Sequence, residues 1–337
     1  MIRGNPTNRR RGSMLVAIFA ALALLLAACG SDDDDNGADE PPATEVDPGD
    51  DIGGDDDDGD DVGDDDDDDD GDVGGEGGSI HFGWIPWDED IAVTHLWKVL
   101  LEERGYDVEM TQLDAAPLFQ GLADGELDVF LDAWLPDTHA DYWEEHEDEL
   151  TELSTWYDEA TLNIAVPEYV DDIDTIADLE GEGDRFDNRI VGIEPGAGIM
   201  RLTEDEVMPG YGLEDDYELL EGGTPAMLTE LETALDNEED IVVTLWHPHW
   251  AYSAFPIKDL DDVDSHFGEG EEILGVANND WADDNAEAVE WLSNFELTDD
   301  ELGELEDLVL NTYEDDEEEG VKVWLEDNQD VVDAWFE

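Results

Sequence analysis

Apolar positions along this chain fall into two regimes. Between residues 30 and 78 they are almost absent, whereas from Ser79 onward short apolar runs alternate with segments of helical period. "SIHFGWIPW" reads as a strand, and "DIAVTHLWKVLLEERG" as an amphipathic helix ended by Gly105. "YDVEMTQL" reads as a second strand, and "PLFQGLADGELDVFLDAW" as a helix, a glycine break and a third strand. This β-α-β succession predicts a mostly parallel sheet with helices on both faces.

A second set begins near Pro167. "DNRIVGIEP" predicts a strand and the following "GAGIMRLTEDEVMPGYG" a tight turn and helix; "YELLEGG" and "EEDIVVTLW" supply two further strands around the helix "PAMLTELETALDN". After Pro256 the pattern returns to helices, among them "DNAEAVEWLSNF" and one opened by a capping box, Thr298 with Glu301. One lobe is therefore expected from residues 79–166 plus 251–337 and another from 167–250. A chain that leaves a lobe, builds a second and returns predicts an α/β protein hinged around a cleft, where ligands usually bind.

Composition changes the picture in two ways. The 337 residues carry a formal charge of −90, from 101 acidic and 11 basic residues, which excludes a nucleic-acid binder because phosphates would repel it. Such acidity in a chain with 40% hydrophobic residues and 12 tryptophans suits a folded protein working in brine, where about 1 M salt shortens the screening length to roughly 3 Å. Residues 30–78 hold too little apolar surface for a core and read as a disordered acidic tether.

Ahead of the tether, a basic segment "RGNPTNRRRGS" precedes the apolar run "MLVAIFAALALLLAA" and Cys29. That run is too short for a bilayer span of about 20 residues. Leu26-Ala27-Ala28-Cys29 resembles a lipobox, so residues 1–28 are expected to be a lipoprotein signal peptide and Cys29, the chain's lone cysteine, the lipidated N-terminus. Residues 29–78 would then tie an extracytoplasmic domain to the outer face of the membrane.

Three aromatic segments end predicted strands: "GWIPWDED" with Trp84 and Trp87, "LDAWLPDTH" with Trp134 and His139, and "TLWHPHW" with Trp246 and Trp250. Strand ends of open α/β sheets are where ligands sit, so Trp134, Trp246 and one of Trp84 and Trp87 read as pocket walls, and Trp250, His247 and His249 as packing and hinge residues. Trp87 is preferred over Trp84 because it directly precedes the helix start at Asp88-Glu89. "GIEPGAGIM" is a glycine-rich turn feeding a helix, a seat for a small anion; it lacks the nucleotide-binding glycine patterns. Only His139, His247 and His249 lie near strand ends, short of the four ligands of a structural zinc site, and no metal or cofactor is expected. His139 near Asp132 and Asp137 is a formal acid–base pair, but no nucleophile motif accompanies it and an enzyme is not expected.

In their order and spacing, "GWIPWDEDIAVTHLW", "GLADGELDVFLDAWLPDTH", "VGIEPGAGIM" and "IVVTLWHPHWAY" resemble the substrate-binding proteins of glycine betaine and proline betaine ABC importers, over nearly all of residues 79–337. The resemblance implies a two-lobed type II periplasmic-binding-protein-like fold and a small zwitterionic ligand, with choline, carnitine, ectoine or proline as alternatives. It also implies ABC permease and ATPase partners. In that family a tryptophan prism encloses the quaternary ammonium, and a histidine with two backbone amides holds the carboxylate. Carried over, the prism is Trp87, Trp134 and Trp246, the histidine is His139, and the amides are those of Gly198 and Ile199.

Overall fold

A computed structural model describes residues 77–314 and 316–336. The signal segment expected at 1–28, Cys29 and nearly all of the acidic stretch to residue 78 lie outside these described residues.

The first five elements follow the change of period along the chain. Strand β1 (Gly78–Trp84) leads into helix α1 (Asp88–Glu103), β2 (Tyr106–Gln112), α2 (Ala115–Ala123) and β3 (Val129–Leu135). Gly105 and Gly125 close the two helices at φ +85° and +70°, a region where an L side chain is strained. Helix α1 opens on Asp88, Glu89 and Asp90, an acidic first turn of the kind a helix N-terminus favours.

Helix α3 (Ala140–His146) then leads to β4 (Leu150–Pro167), and β5 (Arg189–Val191) precedes a helical run from α4 (Gly198–Leu202) through a π turn to α5 (Met208–Tyr211). Strand β6 (Glu218–Leu220), α6 (Thr224–Asn237), β7 (Val243–His247), α7 (Ala251–Ala254), β8 (Ile257–Asp259) and β9 (Glu271–Asn278) follow. The chain closes with α8 (Asn279–Asp284), α9 (Ala286–Ser293), α10 (Asp299–Glu306), α11 (Glu317–Asp327) and α12 (Gln329–Trp335). The capping box expected at Thr298 and Glu301 opens α10.

The strands join in the order β2-β1-β3-β9-β4-β7-β5-β6, with β8 on β4. Parallel pairing runs through β2-β1-β3 and through β7-β5-β6, and antiparallel pairing through β9 and β4 connects the two. The long β4 belongs to both halves: Leu150–Ala160 pairs with β9, and Thr161–Pro167 with β7 and β8. Strand β8 pairs on the second half, and the ladder of the first half resumes at Glu271. The three-residue β8 is too short to leave a period in the sequence.

Among the described residues most of the few Lys and Arg side chains are taken up in ion pairs. Lys98 bonds Glu102 and Glu318 at 2.7 Å each, and Arg185 bonds Asp240 at 2.6 Å and Asp172 at 2.8 Å. Most surface carboxylates must therefore be screened by dissolved ions. Melting followed by circular dichroism should rise by about 10 °C or more from about 0.1 M to about 3 M salt, as expected for several kcal/mol at roughly 2–4 °C per kcal/mol. A salt-independent melt would contradict the brine reading.

Candidate functional site

Five of the six residues expected at the ligand site line one small cavity: Trp87, Trp134, Trp246, Gly198 and Ile199, together with Glu89, Thr138, Leu162, Ile193 and Ala197. Trp87 stands at the N-cap of α1, Trp134 on β3 and Trp246 on β7, so three separate elements bring the indoles together. All three are at least 95% buried. Trp84 ends β1 and is not among the lining residues.

Two of the indoles are fixed by carboxylates. Trp134 donates Nε1–H to Asp132 Oδ1 at 3.0 Å, and Trp246 donates to Glu89 Oε2 at 2.9 Å. The Nε1 of Trp87 is buried with no partner. Burial pushes Glu89 and Asp132 well above the usual carboxylate range, and their acidic neighbours add to the shift. Sequence reasoning missed Glu89. The acid run "DED" after Trp87 marks only a helix start, an ordinary place for carboxylates.

The sixth residue, His139, is wholly buried and stacks on Trp87, the rings 5.5 Å apart and 14° from parallel. Its Nδ1 accepts the Trp134 amide at 2.9 Å, and its own amide returns a bond to the Trp134 carbonyl at 3.0 Å. The first of these bonds places the ring proton on Nε2, which is buried and has no protein partner. Burial, with the nearby Arg201 charge, lowers the imidazole to about 3, so it is neutral and remains a donor through Nε2. The preceding Thr138 is anchored to Glu271, which accepts its amide at 3.0 Å and its hydroxyl.

The glycine-rich turn faces this loop. Gly196 takes φ +92°, and Met200 and Arg201 are the first residues of α4 to donate to Ala197. The Gly198 and Ile199 amides therefore open the helix with no acceptor inside it. A Cβ at Gly198 would lie 2.8 Å from the Thr138 carbonyl carbon, so only glycine permits this approach. Across the same junction Arg201 Nη2 donates to the Asp137 carbonyl at 2.9 Å, and Tyr142 donates to the Gly196 carbonyl at 3.1 Å.

The two histidines of "WHPHW" have separate partners. His247 Nε2 lies 2.8 Å from Asp259 and its ring stacks on Tyr252 at 3.7 Å. His249 accepts the Ala251 amide through Nδ1 at 3.0 Å, sets Nε2 2.9 Å from Asp88, and packs edge-on against Trp246 at 4.8 Å. Trp250 also donates to Asp88, at 2.7 Å. These contacts hold Trp246 and the following turn. Among the described residues no group of three His, Cys, Asp or Glu side chains is arranged to bind a metal ion.

Comparison with known proteins agrees with this architecture. Residues 78–327 match the family model described as the substrate binding domain of ABC-type glycine betaine transport system. The glycine betaine/carnitine transport binding protein GbuC of Listeria monocytogenes is 32% identical over 154 residues, 45% of this chain and 50% of GbuC, so the match spans half that relative's length. Among solved structures, the glycine betaine, L-proline ABC transporter binding protein ProX of Borrelia burgdorferi superposes with a TM-score of 0.73 at 31% identity, over 76% of this chain and 96% of ProX. Lactococcal OpuAC, closed on glycine betaine, superposes with a TM-score of 0.71 at 30% identity, over 77% of this chain and 99% of OpuAC. Members of this family are transporter substrate-binding proteins rather than enzymes, and the fold is that of the type II periplasmic binding proteins. With the family model matched over most of its length, the chain belongs to the family of substrate-binding domains of ABC-type glycine betaine transport systems.

Proposed function

We propose that this protein captures glycine betaine, or a closely related quaternary-ammonium solute, outside the cytoplasm and delivers it to an ABC permease and ATPase. The supporting observation is the joint lining of one cavity by Trp87, Trp134, Trp246, Gly198 and Ile199. A trimethylammonium group has no N–H to donate and is best held by π faces, at about 2 kcal/mol for each desolvated ring. Three rings contribute roughly 6 kcal/mol, and a micromolar dissociation constant needs about 8. The carboxylate supplies the difference by accepting from the amides of Gly198 and Ile199 and from Nε2–H of His139.

In this reading the halves joined on β4 are two lobes, and the ligand closes them by bridging indoles at the strand ends to the amides of the glycine-rich turn. Cys29 carries the lipid anchor, and residues 29–78 hold the binding domain away from the membrane.

Titration calorimetry in molar salt against glycine betaine, proline betaine, choline, carnitine, ectoine and proline tests the assignment. Glycine betaine should bind near micromolar. Choline keeps the trimethylammonium but replaces the carboxylate with a hydroxyl, which recovers only part of the lost bonding. Charge-assisted bonds contribute about 1.5–3 kcal/mol each, so choline should bind at least about a hundredfold more weakly. Failure of every compound to bind would overturn the proposal, and equal binding of choline and betaine would overturn the anion seat.

A further inference from the structure

Glu89 is 1% exposed, lines the cavity, and accepts the Trp246 indole. Around it lie Asp88 and Asp90 on its own helix, Asp132 on β3 and Glu306 on α10, all buried. Asp90 is taken up by the Ile85 amide at 2.7 Å and the Thr94 hydroxyl at 2.9 Å, and Asp88 by Trp250, with His249 Nε2 2.9 Å away. Asp132 Oδ2 and Glu306 Oε1 are buried without partners. Among the described residues no Lys or Arg forms an ion pair with Glu89, Asp90, Asp132 or Glu306. Among the described residues the cluster has no Lys or Arg counter-cation, its one basic neighbour being His249 beside Asp88, and of its members only Glu89 reaches the cavity wall.

We propose that Glu89 is a specificity-determining residue of the cage: its carboxylate is the counter-charge to the ligand's cationic head, and entry of that head releases the Glu89 proton to solvent. The inference rests on the quaternary-ammonium reading above.

Burial is the main influence on Glu89 and raises it; hydrogen bonds from its own backbone and from Trp246 work against that rise, and the Asp88 and Asp90 charges add to it. A permanent cation at the cavity favours the ionised form instead. The O–H bond of Glu89 breaks, its electron pair stays on the carboxylate, and the proton passes to buffer. A ligand that releases a proton binds more tightly as pH rises, by at most about tenfold per pH unit for one proton, and loses that affinity as pH falls. The opposite end of the site has the opposite sign. A carboxylate beside His139, which also feels Arg201, would draw a proton in rather than expel one. Net release therefore reports the cation end.

Calorimetry of glycine betaine binding in phosphate and in Tris at one pH and one molar salt concentration counts the protons exchanged. The wild type should release a measurable fraction of a proton per ligand. Glu89→Gln keeps an oxygen to accept the Trp246 N–H but has no proton to lose, so its release should fall to near zero and its affinity should become flat with pH. Release that survives in Glu89→Gln, or no release by the wild type, overturns the proposal. Absence of release by the wild type overturns the proposal even if the variant fails to fold. Binding without release fails this inference alone, whereas absence of binding by the wild type fails the ligand reading and this one with it.

Discussion

Replacing Gly198 by alanine should reduce glycine betaine affinity by about a thousandfold or more while leaving the fold intact. The added methyl carbon would stand 2.8 Å from the Thr138 carbonyl carbon, and Thr138 is itself held by Glu271. Backbone must therefore move to admit it. Such movement withdraws the Gly198 and Ile199 amides from the anion and separates the turn from the loop carrying His139, so two or three charge-assisted bonds of about 1.5–3 kcal/mol weaken together. Alanine's better helix propensity, about 1 kcal/mol, offsets part of the roughly 1–3 kcal/mol cost of the overpacking, so the melting temperature should fall by only a few degrees. Calorimetry and thermal melting in molar salt separate the two effects. Wild-type affinity in Gly198→Ala would show that the approach of Gly198 to Thr138 does not serve binding.

How far the sequence foretold this arrangement depended on how clearly each segment announced its period. The run from β1 to β3 was legible because helix and strand alternate there and positive-φ glycines punctuate it at Gly105 and Gly125. Strand β4 was not. Its register against β9 shifts between Glu152 and Thr155, between Thr155 and Tyr157, and between Tyr157 and Ala160, so inward and outward positions never settle into an alternation of two. Strand β9 has the opposite difficulty: seven of its eight positions are buried, but its apolar part is only the short run from Ile273 to Ala277, which periodicity cannot assign to strand or helix. The expectation of helices after Pro256 therefore passed over it.

The site shows the same contrast. Large indoles beside Leu-Pro and His-Pro turns stand out against polar surroundings, and the order of the motifs placed Trp87, Trp134, Trp246, Gly198 and Ile199, which the fold gathers on one cavity. Glu89 carried no comparable signal, because one carboxylate in a chain with 101 acidic residues is invisible until its burial is known. His139 was legible as a site residue. Its tautomer was not, since that depends on the amide of Trp134, five residues earlier, turning back onto Nδ1.

The cage itself is best tested by removing two faces at once while keeping apolar volume. Trp134→Leu combined with Trp246→Leu deletes the rings on β3 and β7 but leaves Trp87, the glycine-rich turn and His139 in place. At about 2 kcal/mol per desolvated ring the pair contributes roughly 4 kcal/mol, so glycine betaine should bind about a thousandfold more weakly. The loss should fall equally on choline, because both ligands present the same trimethylammonium to the missing faces, and the ratio of the two affinities should stay near its wild-type value. His139→Ala should behave oppositely, weakening betaine selectively and narrowing that ratio. Asp132 and Glu89 lose their indole donors in the double variant, and an unsatisfied buried acceptor costs about 1–3 kcal/mol, so melting will fall as well. Affinity must therefore be measured well below the variant's own melting temperature. A loss under about tenfold in a folded double variant would mean that π faces do not hold the cation, and the binding energy would then have to come from the carboxylate end or from Glu89.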